Sequence, residues 1–536
     1  MDLDLAIRGI LYLLVAILTS IFINIIRQYL PRPKSEPPLV FHWFPLIGNA
    51  IEYGTDPLNF YRRCRAQHGD VFTFVLLGKH LTVCLGPEGN EFVLNGRVSD
   101  VNAEDIYGPL TTPVFGSDVV YDCPNAKLME QKRFVKFGLT RQALESYVPL
   151  IEREVLDYIS SSSSNAKFRG AKGKVNVSAA MAELTIFTAG RALQGAEVRA
   201  KLTAEFAELY HDLDMGFQPI NFLMPWAPLP QNRRRDAAHL KMRSVYMDLI
   251  NERRKSARNK MIKGSADDEP DMISNLMSCV YKNGQPIPDK EIANMMITLL
   301  MGGQHSSSSA SAWILHRLAS QPTIIEELYE EQRLHLGPSA STRPLTLNDL
   351  DKLPLLSNVI KETLRVHSSI HTLMRKVLRP LAMPGTDYVI TPDKVLVSSP
   401  IMSHMSATHF VDPGRWDPHR WDDDHVKSNA LLSDDSSTFT TTGGGNDDDI
   451  VDYGYGATRK GTKSPYLPFG AGRHRCIGEK FAYLNLSTIV LTIIRNLKLR
   501  TVDGTSSVPP TDYTSLFSRP VQSAEILWER RRPESC

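Results

Sequence analysis

A short loop around one cysteine constrains this chain of 536 residues more than any other feature of its sequence. In the segment PYLPFGAGRHRCIGEKFA, Pro465 to Ala482, three glycines flank Cys476. Glycine permits backbone angles and close approaches that side chains forbid. The apolar pattern after Gly478 predicts a helix, whose N-terminal dipole favours a negative charge. A thiolate is also favoured by three neighbouring cations, which are Arg473, His474 and Arg475. The loop therefore predicts a thiolate ligand or nucleophile at Cys476, and the alternative is a cysteine in a glycine turn without a metal.

The other cysteines and the charge balance exclude several classes of protein. The six cysteines are scattered and include no C-x-x-C pair. This pattern argues against a disulfide framework or a structural zinc site and favours a reducing compartment. The formal net charge is +2, so the composition gives no reason to expect a nucleic acid partner.

An uncharged apolar run lies near the N-terminus, between Arg8 and Arg27. As a helix its 18 residues would extend roughly 27 Å, enough to cross a hydrocarbon core. A cleaved signal peptide is the alternative, but Asp2 and Asp4 precede the run and no small-residue cleavage site follows it. Basic residues after the run predict that the following chain faces the cytosol. We therefore predict a lumenal segment at 1–8, a membrane anchor at 9–26, a basic proline-rich linker at 27–48 and a catalytic body at 49–536.

The body is predicted to be mainly α with minor β-sheets. The alternating segment from Asp70 to Gly86 predicts a β-hairpin, and strand-like segments return at Tyr388–Val397 and near the C-terminus. Helical periodicity dominates from about Arg141, and it predicts helices at Pro149–Ser160, Arg199–Asp214, Arg234–Lys260, Asp289–Ser320, Thr323–Leu336 and Pro354–His367. An acidic, Ser/Thr-rich and Gly-rich stretch at about 422–460 predicts a surface insertion, either merely tolerated or used for docking.

Two of the predicted helices contain polar residues that could be functional. Glu362 and Arg365 are i, i+3 neighbours that can pair, although such pairs are common on protein surfaces. The helix Asp289–Ser320 contains ITLLMGGQHSSSSASAW. Its two adjacent glycines cost roughly 1 kcal/mol each relative to alanine, which indicates that something lies against the helix backbone there. The serines that follow can bond backbone carbonyls and bend the helix. A lone histidine such as His305 is usually a core residue, but this context favours a functional one.

These motifs together resemble the cytochrome P-450 family, whose haem signature is Phe-x-x-Gly-x-Arg-x-Cys-x-Gly. The matching positions are Phe469, Gly472, Cys476 and Gly478, with His474 at the arginine position. In that family a Glu-x-x-Arg pair is locked to a downstream arginine, and the resemblance implies a structural network of Glu362, Arg365 and Arg420. The segment GGQHS, starting at Gly302, is similar to the family's oxygen-activation groove.

Further segments are similar to the sterol 14α-demethylases of filamentous fungi, a branch of that family. They are Glu104–Thr140, His367–Val377 and the segment GFQPINFLMPWAPLP that begins at Gly216. The resemblance implies a cytochrome P-450 fold with Cys476 as the axial ligand to the iron of haem b. It also implies removal of the 14α-methyl group of lanosterol or eburicol in ergosterol biosynthesis. Three successive oxidations would use O2 and electrons from NADPH.

The same resemblance assigns roles to individual residues. Contacts to haem are implied for Tyr107, Tyr121, Lys132, Arg375, His474, Phe469 and Gly470. Contacts to the sterol are implied for Phe115, Tyr121, Phe217, Phe222, Gly303, His371 and Leu516, with Tyr107 at the edge of the pocket. A proton route to the bound oxygen is implied for Asp214, His305 and Ser306.

The implied partners are a reductase, a membrane and azole inhibitors. The chain has no GxGxxG fingerprint after a strand, so electrons from NADPH would come through a separate reductase. That reductase is expected to dock on basic residues near the cysteine, namely Arg473, Arg475 and Lys480. The location implied is the endoplasmic reticulum membrane. Two other functions remain open: a diverged paralogue that oxidises another sterol or has little demethylase activity, and a non-catalytic membrane haem protein that binds sterols.

Overall fold

A computed structural model of the chain describes residues 2–160, 166–202, 204–218, 220–263, 271–337, 343–424, 464–515 and 517–531. In these residues the helices, in chain order, are α1 (Asp2–Tyr29), α2 (Ala50–Thr55), α3 (Pro57–His68), α4 (Gly86–Leu94), α5 (Glu104–Phe115), α6 (Asn125–Phe137), α7 (Arg141–Ile159), α8 (Val177–Ala189), α9 (Ala196–Lys201), α10 (Ala204–Asp214), α11 (Ile220–Leu223), α12 (Pro230–Lys263), α13 (Met272–Ser278), α14 (Asp289–Ser320), α15 (Pro322–Leu336), α16 (Leu347–Leu350), α17 (Pro354–Val366), α18 (Pro400–His404) and α19 (Glu479–Asn496).

The strands are short and fewer residues belong to them than to helices. They are β1 (Val71–Leu76), β2 (Lys79–Cys84), β3 (Val101–Asn102), β4 (Lys172–Asn176), β5 (Leu373–Val377), β6 (Leu381–Ala382), β7 (Val389–Ile390), β8 (Lys394–Ser398), β9 (Leu497–Thr501), β10 (Thr511–Asp512), β11 (Arg519–Pro520) and β12 (Glu525–Arg530). Over the described ranges the sheets have the strand orders β1-β2-β8-β5-β3, β4-β12-β9, β6-β7 and β10-β11. The prediction of a mainly α protein with minor sheets is confirmed.

The chain divides into two compact units, and the first is built on the sheet β1-β2-β8-β5-β3. It comprises Met1–Ile106, His371–His409 and Arg459–His474. The predicted hairpin is present: β1 and β2 are antiparallel, and the turn between them has positive φ angles at Leu77 and Gly78. Parallel pairing of β2 with β8 brings in a strand that is distant in sequence.

The second unit comprises Tyr107–Ile370, Phe410–Thr458 and Arg475–Cys536. Its long helix α14 packs against α8, α12, α17 and α19, and its bounds agree with the prediction. Most of its side chains are buried, and Trp313 is the largest of the fully buried ones in the described chain. The helix thus places the polar residues 302–309 in the middle of this unit.

Several predicted helix bounds were wrong. The helix predicted to start at Pro149 is α7, which begins at Arg141, where the Thr140 side chain accepts a hydrogen bond from the Ala143 N–H at 3.4 Å. Proline favours the first turn of a helix, but Pro149 lies inside α7, which packs against α8 and α19. The segment predicted as one helix from residue 199 is divided between α9 and α10 at Leu202, whose ψ of 70° is not helical. The sequence analysis also predicted no helix at α2 to α6 or at α8.

The predicted membrane anchor is confirmed as a helix that is long and apolar enough to cross a membrane. The apolar part runs from Ile7 to Tyr29, beyond the predicted 9–26, and it is not buried. Near its end, Asn24 Nδ2 and Gln28 Nε2 donate to the carbonyl of His42 at 2.9 and 2.8 Å, so the predicted linker returns to the helix. Most of the predicted insertion at 422–460 lies outside the described residues.

Candidate active site

Cys476 immediately precedes α19, as predicted, and Gly478 caps that helix. Among the five cysteines of the described residues, only Cys476 is exposed. Its loop needs glycine: Gly472 has a φ of +66°, and a Cβ atom there would lie 2.3 Å from the carbonyl oxygen of Leu94. Cys476 is therefore the one of these five residues that is open to a ligand.

Nearby cations favour a thiolate at Cys476, as predicted, but they do not dominate the pKa of its thiol. Although the residue as a whole is exposed, desolvation by the protein atoms around the sulfur raises the pKa of the Cys476 thiol. This exceeds the lowering by the Gly478 backbone and by the charges of Lys132 and Arg475. The cations have other partners. Arg475 Nη2 lies 2.6 Å from Glu479 Oε2, and Arg473 donates to the carbonyl of Gly96. Proximity in sequence to Cys476 did not determine where these charges point.

Five of the predicted contact residues lie in the first unit. Arg375, on β5, is buried and donates from Nη1 to the Met374 carbonyl at 2.8 Å. His474 Nε2 lies 3.9 Å from Glu104 Oε1. Burial lowers the pKa of His371 to about 4, so this side chain is neutral near pH 7. Gly470 has a φ of +70°, in the turn that follows Leu467. Phe469, the fifth, lies between Leu467 and Gly470 in the same turn.

Four aromatic residues predicted to contact haem or sterol lie in the second unit as two ring pairs. The rings of Tyr107 and Tyr121 are 5.1 Å apart with an interplanar angle of 31°. The rings of Phe115 and Phe217 are 5.8 Å apart.

Lys132 Nζ donates to the Arg475 carbonyl at 2.9 Å, next to the cysteine. Two further predictions, the side chain of Phe222 and the whole of Leu516, lie outside what the structure describes.

The predicted pair of Asp214 and His305 is present. Asp214 ends α10, and its Oδ1 lies 2.9 Å from His305 Nε2 on α14. Burial raises the pKa of Asp214, but the hydrogen bond and the electrostatic attraction to His305 lower that pKa by more. The net shift is downward, so the carboxyl stays ionised at neutral pH. The two side chains are 31% and 12% exposed and line a cavity of about 950 Å³. The pair is thus neither enclosed in the core nor open to bulk water.

Residues around His305 include two that the sequence analysis did not place beside it. The ring of Phe517 stacks on the imidazole at 5.0 Å and 18°, and the hydroxyl of Tyr210 lies 3.3 Å from Nε2. The sequence contained a signal for Tyr210, because it precedes Asp214 by four residues on one predicted helix and so shares its face. The position of Phe517, far along the chain, had no such signal.

The glycines and serine of α14 present an open helix face. A Cβ atom at Gly302 or Gly303 would meet nothing within 4 Å, so no described protein atom presses on the backbone there. Ser306 Oγ donates to the Gly302 carbonyl at 3.2 Å, the helix-bending contact that the sequence predicted. This face has room for a group that is not protein.

The predicted charge network is present and is enclosed. The side chains of Glu362 and Arg365 are fully buried, and two contacts at 2.7 and 2.8 Å make the pair bidentate. Arg420 Nε donates to Glu362 Oε1 at 3.2 Å, and Trp421 Nε1 donates to Oε2 at 3.0 Å. The prediction of a structural role agrees with this burial.

Comparisons with known proteins show the family to which the chain is similar. The family model for cytochrome P450 matches residues 37–528. A sterol 14-alpha demethylase CYP51A from Gibberella zeae is 61% identical over 522 residues, which cover 97% of this chain and 98% of that protein. The corresponding protein of Aspergillus fumigatus is 59% identical over 526 residues, 97% of each chain. An eburicol 14-alpha-demethylase from Penicillium italicum is 58% identical over 523 residues, 96% of each.

The fold is also similar to a solved structure, that of a retinoic acid-bound cyanobacterial CYP120A1. The TM-score is 0.73, and the match covers 93% of this chain and 100% of the other. Because the two are only 18% identical, this similarity shows the fold and nothing about the substrate.

Proposed function

This chain belongs to the cytochrome P450 family, and from that premise we propose that it is a sterol 14α-demethylase. The supporting observation is the identity of about 60% over nearly the whole chain with several proteins of that name. The proposed substrate is a sterol precursor, lanosterol or eburicol, which loses its 14α-methyl group in ergosterol biosynthesis. The body of the enzyme is the proposed catalytic domain at 49–536.

The described residues fit haem b, the prosthetic group of this family. Cys476 is an exposed residue, and the face of α14 at Gly302 and Gly303 leaves room beside the helix backbone. Cys476 would hold the haem iron through its sulfur. When bound, a thiolate-ligated haem activates O2 for insertion into a C–H bond. Charge-assisted hydrogen bonds would hold its propionates, and the proposed donors are Tyr107, Tyr121, Lys132, Arg375 and His474.

Sterol contacts are proposed for residues that are mostly apolar or neutral, because a rigid apolar ligand needs such surroundings. Phe115 and Phe217 are buried and contact one another, and His371 is neutral because it is buried. The full proposed set is Phe115, Tyr121, Phe217, Phe222, Gly303, His371 and Leu516.

Proton supply is proposed for Asp214 and His305. His305 Nε2 is held at 2.9 Å by Asp214, and both residues line the cavity of about 950 Å³ through which water can reach them. Ser306 directly follows His305 on α14 and would be the next hydroxyl along the route.

The complete reaction would consist of three oxidations at one methyl carbon, giving an alcohol, an aldehyde and finally formate with a new ring double bond. Each oxidation consumes one O2 and two electrons from NADPH, which a partner reductase would deliver. Helix α1 supports a single-pass anchor, and we propose that it lies in the endoplasmic reticulum membrane with the body in the cytosol.

The direct test is product analysis with the full-length protein. The enzyme, a fungal reductase, NADPH and either lanosterol or eburicol are combined, and the sterols are identified by mass spectrometry. The proposal predicts a 14-demethylated product and formate, and none with the control variant Cys476→Ala. An azole is expected to shift the haem spectrum by nitrogen ligation. A normal thiolate-haem spectrum with carbon monoxide, but no demethylated sterol, would instead identify a diverged paralogue.

A further inference from the structure

His305 Nε2 has two oxygen neighbours. Asp214 Oδ1 lies at 2.9 Å and the Tyr210 hydroxyl at 3.3 Å, and both come from α10. A neutral imidazole carries its hydrogen on either ring nitrogen, and the hydrogen bonds around the ring decide which. Whether these two oxygens donate or accept therefore determines which ring nitrogen of His305 carries the hydrogen.

Gln304 determines what the Tyr210 hydroxyl can do. The Gln304 side chain is buried, and its Nε2 donates to the Ala182 carbonyl at 3.3 Å. Because a carbonyl only accepts, the amide orientation is set and Gln304 Oε1 faces the other way. The Tyr210 hydroxyl donates to that Oε1 at 2.6 Å. Its single hydrogen is thus committed, and only its lone pairs remain for His305.

We infer that Tyr210 and Gln304 are positioning residues that hold the hydrogen of His305 on Nε2 and leave Nδ1 as the nitrogen that takes up and releases a proton. Both oxygens beside Nε2 are acceptors, since the Asp214 carboxylate has no hydrogen and the Tyr210 hydrogen points to Gln304. The stacked ring of Phe517, at 5.0 Å, restricts rotation of the imidazole out of this arrangement. The effect of this arrangement on turnover rests on the proposed function, whereas the hydrogen-bond geometry does not.

The chain contains a matched control for this arrangement. Tyr246 donates to Gln194 Oε1 at 2.5 Å, and Gln194 Nε2 donates to the Met296 carbonyl at 3.1 Å. Tyr246 and Gln194 are buried like Tyr210 and Gln304, and no contact to a histidine is described for them. Y246F therefore removes the same kind of hydroxyl and leaves the same kind of buried amide oxygen, so both variants have a similar cost in stability.

The first test is nuclear magnetic resonance of the full-length protein with [15N]histidine, in lipid nanodiscs. The signals of His305 are identified by their loss in H305Q. We expect a hydrogen on Nε2 in the wild type and a change of protonation only at Nδ1. Exchange of the Nε2 hydrogen with water should be about tenfold faster in Y210F, the effect of one net hydrogen bond, and unchanged in Y246F. A hydrogen on Nδ1 alone, or equal exchange in both variants, would overturn the inference.

The second test separates this inference from the proposed function. With a 14α-methyl sterol, Y210F should form about tenfold less product per NADPH oxidised. This reduction is smaller than the one expected when a proton-transfer group itself is removed. Spectral binding of the sterol should be unchanged, and Y246F should couple like the wild type. Wild-type protein without demethylase activity refutes the proposed function, while the resonance experiment still decides the role of Tyr210. Active wild type with normal coupling in Y210F refutes only the inference.

Discussion

Two clusters of charged side chains in the second unit differ in how completely they are enclosed. Glu362 and Arg365 are 0% exposed, and the carboxylate also accepts from Arg420, from the Trp421 indole and from a backbone N–H. Asp214 and His305 are 31% and 12% exposed and line a cavity. In both clusters a carboxylate oxygen lies less than 3 Å from a side-chain nitrogen.

The difference separates a structural use of charge from a chemical one. A carboxylate that receives hydrogen bonds from every side cannot exchange a proton with water, and losing one partner leaves a charge without compensation. A pair with one side towards a cavity can exchange protons and depends less on any one contact for stability. The structure thus predicts that substitutions in the first cluster affect folding and those in the second affect turnover.

The largest effect is expected from R365A. This change leaves Glu362 buried without its bidentate partner, and we expect a loss of about 3–5 kcal/mol in the free energy of unfolding, together with loss of haem. Urea denaturation and the carbon monoxide spectrum measure both quantities. R365K should also be destabilised, because a single ammonium cannot replace a bidentate guanidinium. A stable, haem-loaded R365A protein would mean that the network is not structural.

H305Q should have the opposite pattern. Turnover per haem is expected to fall about 100-fold, as for the loss of a proton-transfer group, while the urea midpoint changes little. H316Q is the control, because His316 is a buried histidine further along the same helix and has no assigned role in the reaction. If H305Q lowered stability but not turnover, the contrast between the two clusters would fail.

A third carboxyl tests the importance of a cation partner. Glu331 is buried, and its described partners are the backbone N–H groups of Leu355 and Leu356 at 2.6 and 3.3 Å. Burial raises the pKa of Glu331 to about 7, despite the lowering by those two N–H groups. The pKa in the folded state exceeds the unfolded value of 4.5, so the stability from its protonated form is complete below about pH 4.5 and is lost as pH rises through about 7.

The variant E331Q cannot titrate and should therefore lack this pH dependence. Relative to E331Q, the wild type should lose on the order of 2 kcal/mol of unfolding free energy between about pH 5 and pH 8. Urea denaturation at the two pH values measures the difference, and E330Q on the same helix controls for the change in charge. Parallel pH dependence in the wild type and E331Q would contradict the prediction.

The smallest effect is expected at an exposed pair of the same residue types as Glu362 and Arg365. Arg63 Nη1 and Glu52 Oε1 are 2.6 Å apart, but their side chains are 45% and 51% exposed. R63A should therefore cost less than about 1 kcal/mol, and added salt should reduce that cost further. A cost close to that of R365A would show that burial is not what distinguishes the two pairs.

Features with a local cause were predicted well from the sequence. The bounds of α14, the hairpin of β1 and β2, the helix after Cys476 and the pairing of Glu362 with Arg365 follow from periodicity, turn residues and i, i+3 spacing. The resemblance to a known family added pairings between distant residues, such as Asp214 with His305. The first group follows from patterns within a few residues of one another. The second follows from the similarity of whole segments to a known family.

Only the tertiary structure decided which partners the polar side chains took. Tyr210 and Gln304 are 94 residues apart, and neither spacing nor composition indicates that one would orient the other. Arg473, beside Cys476 in sequence, also took an acceptor that the sequence did not indicate, the carbonyl of Gly96. A side chain binds the nearest suitable partner in space, and that partner is set by the packing of distant segments, which local sequence does not determine.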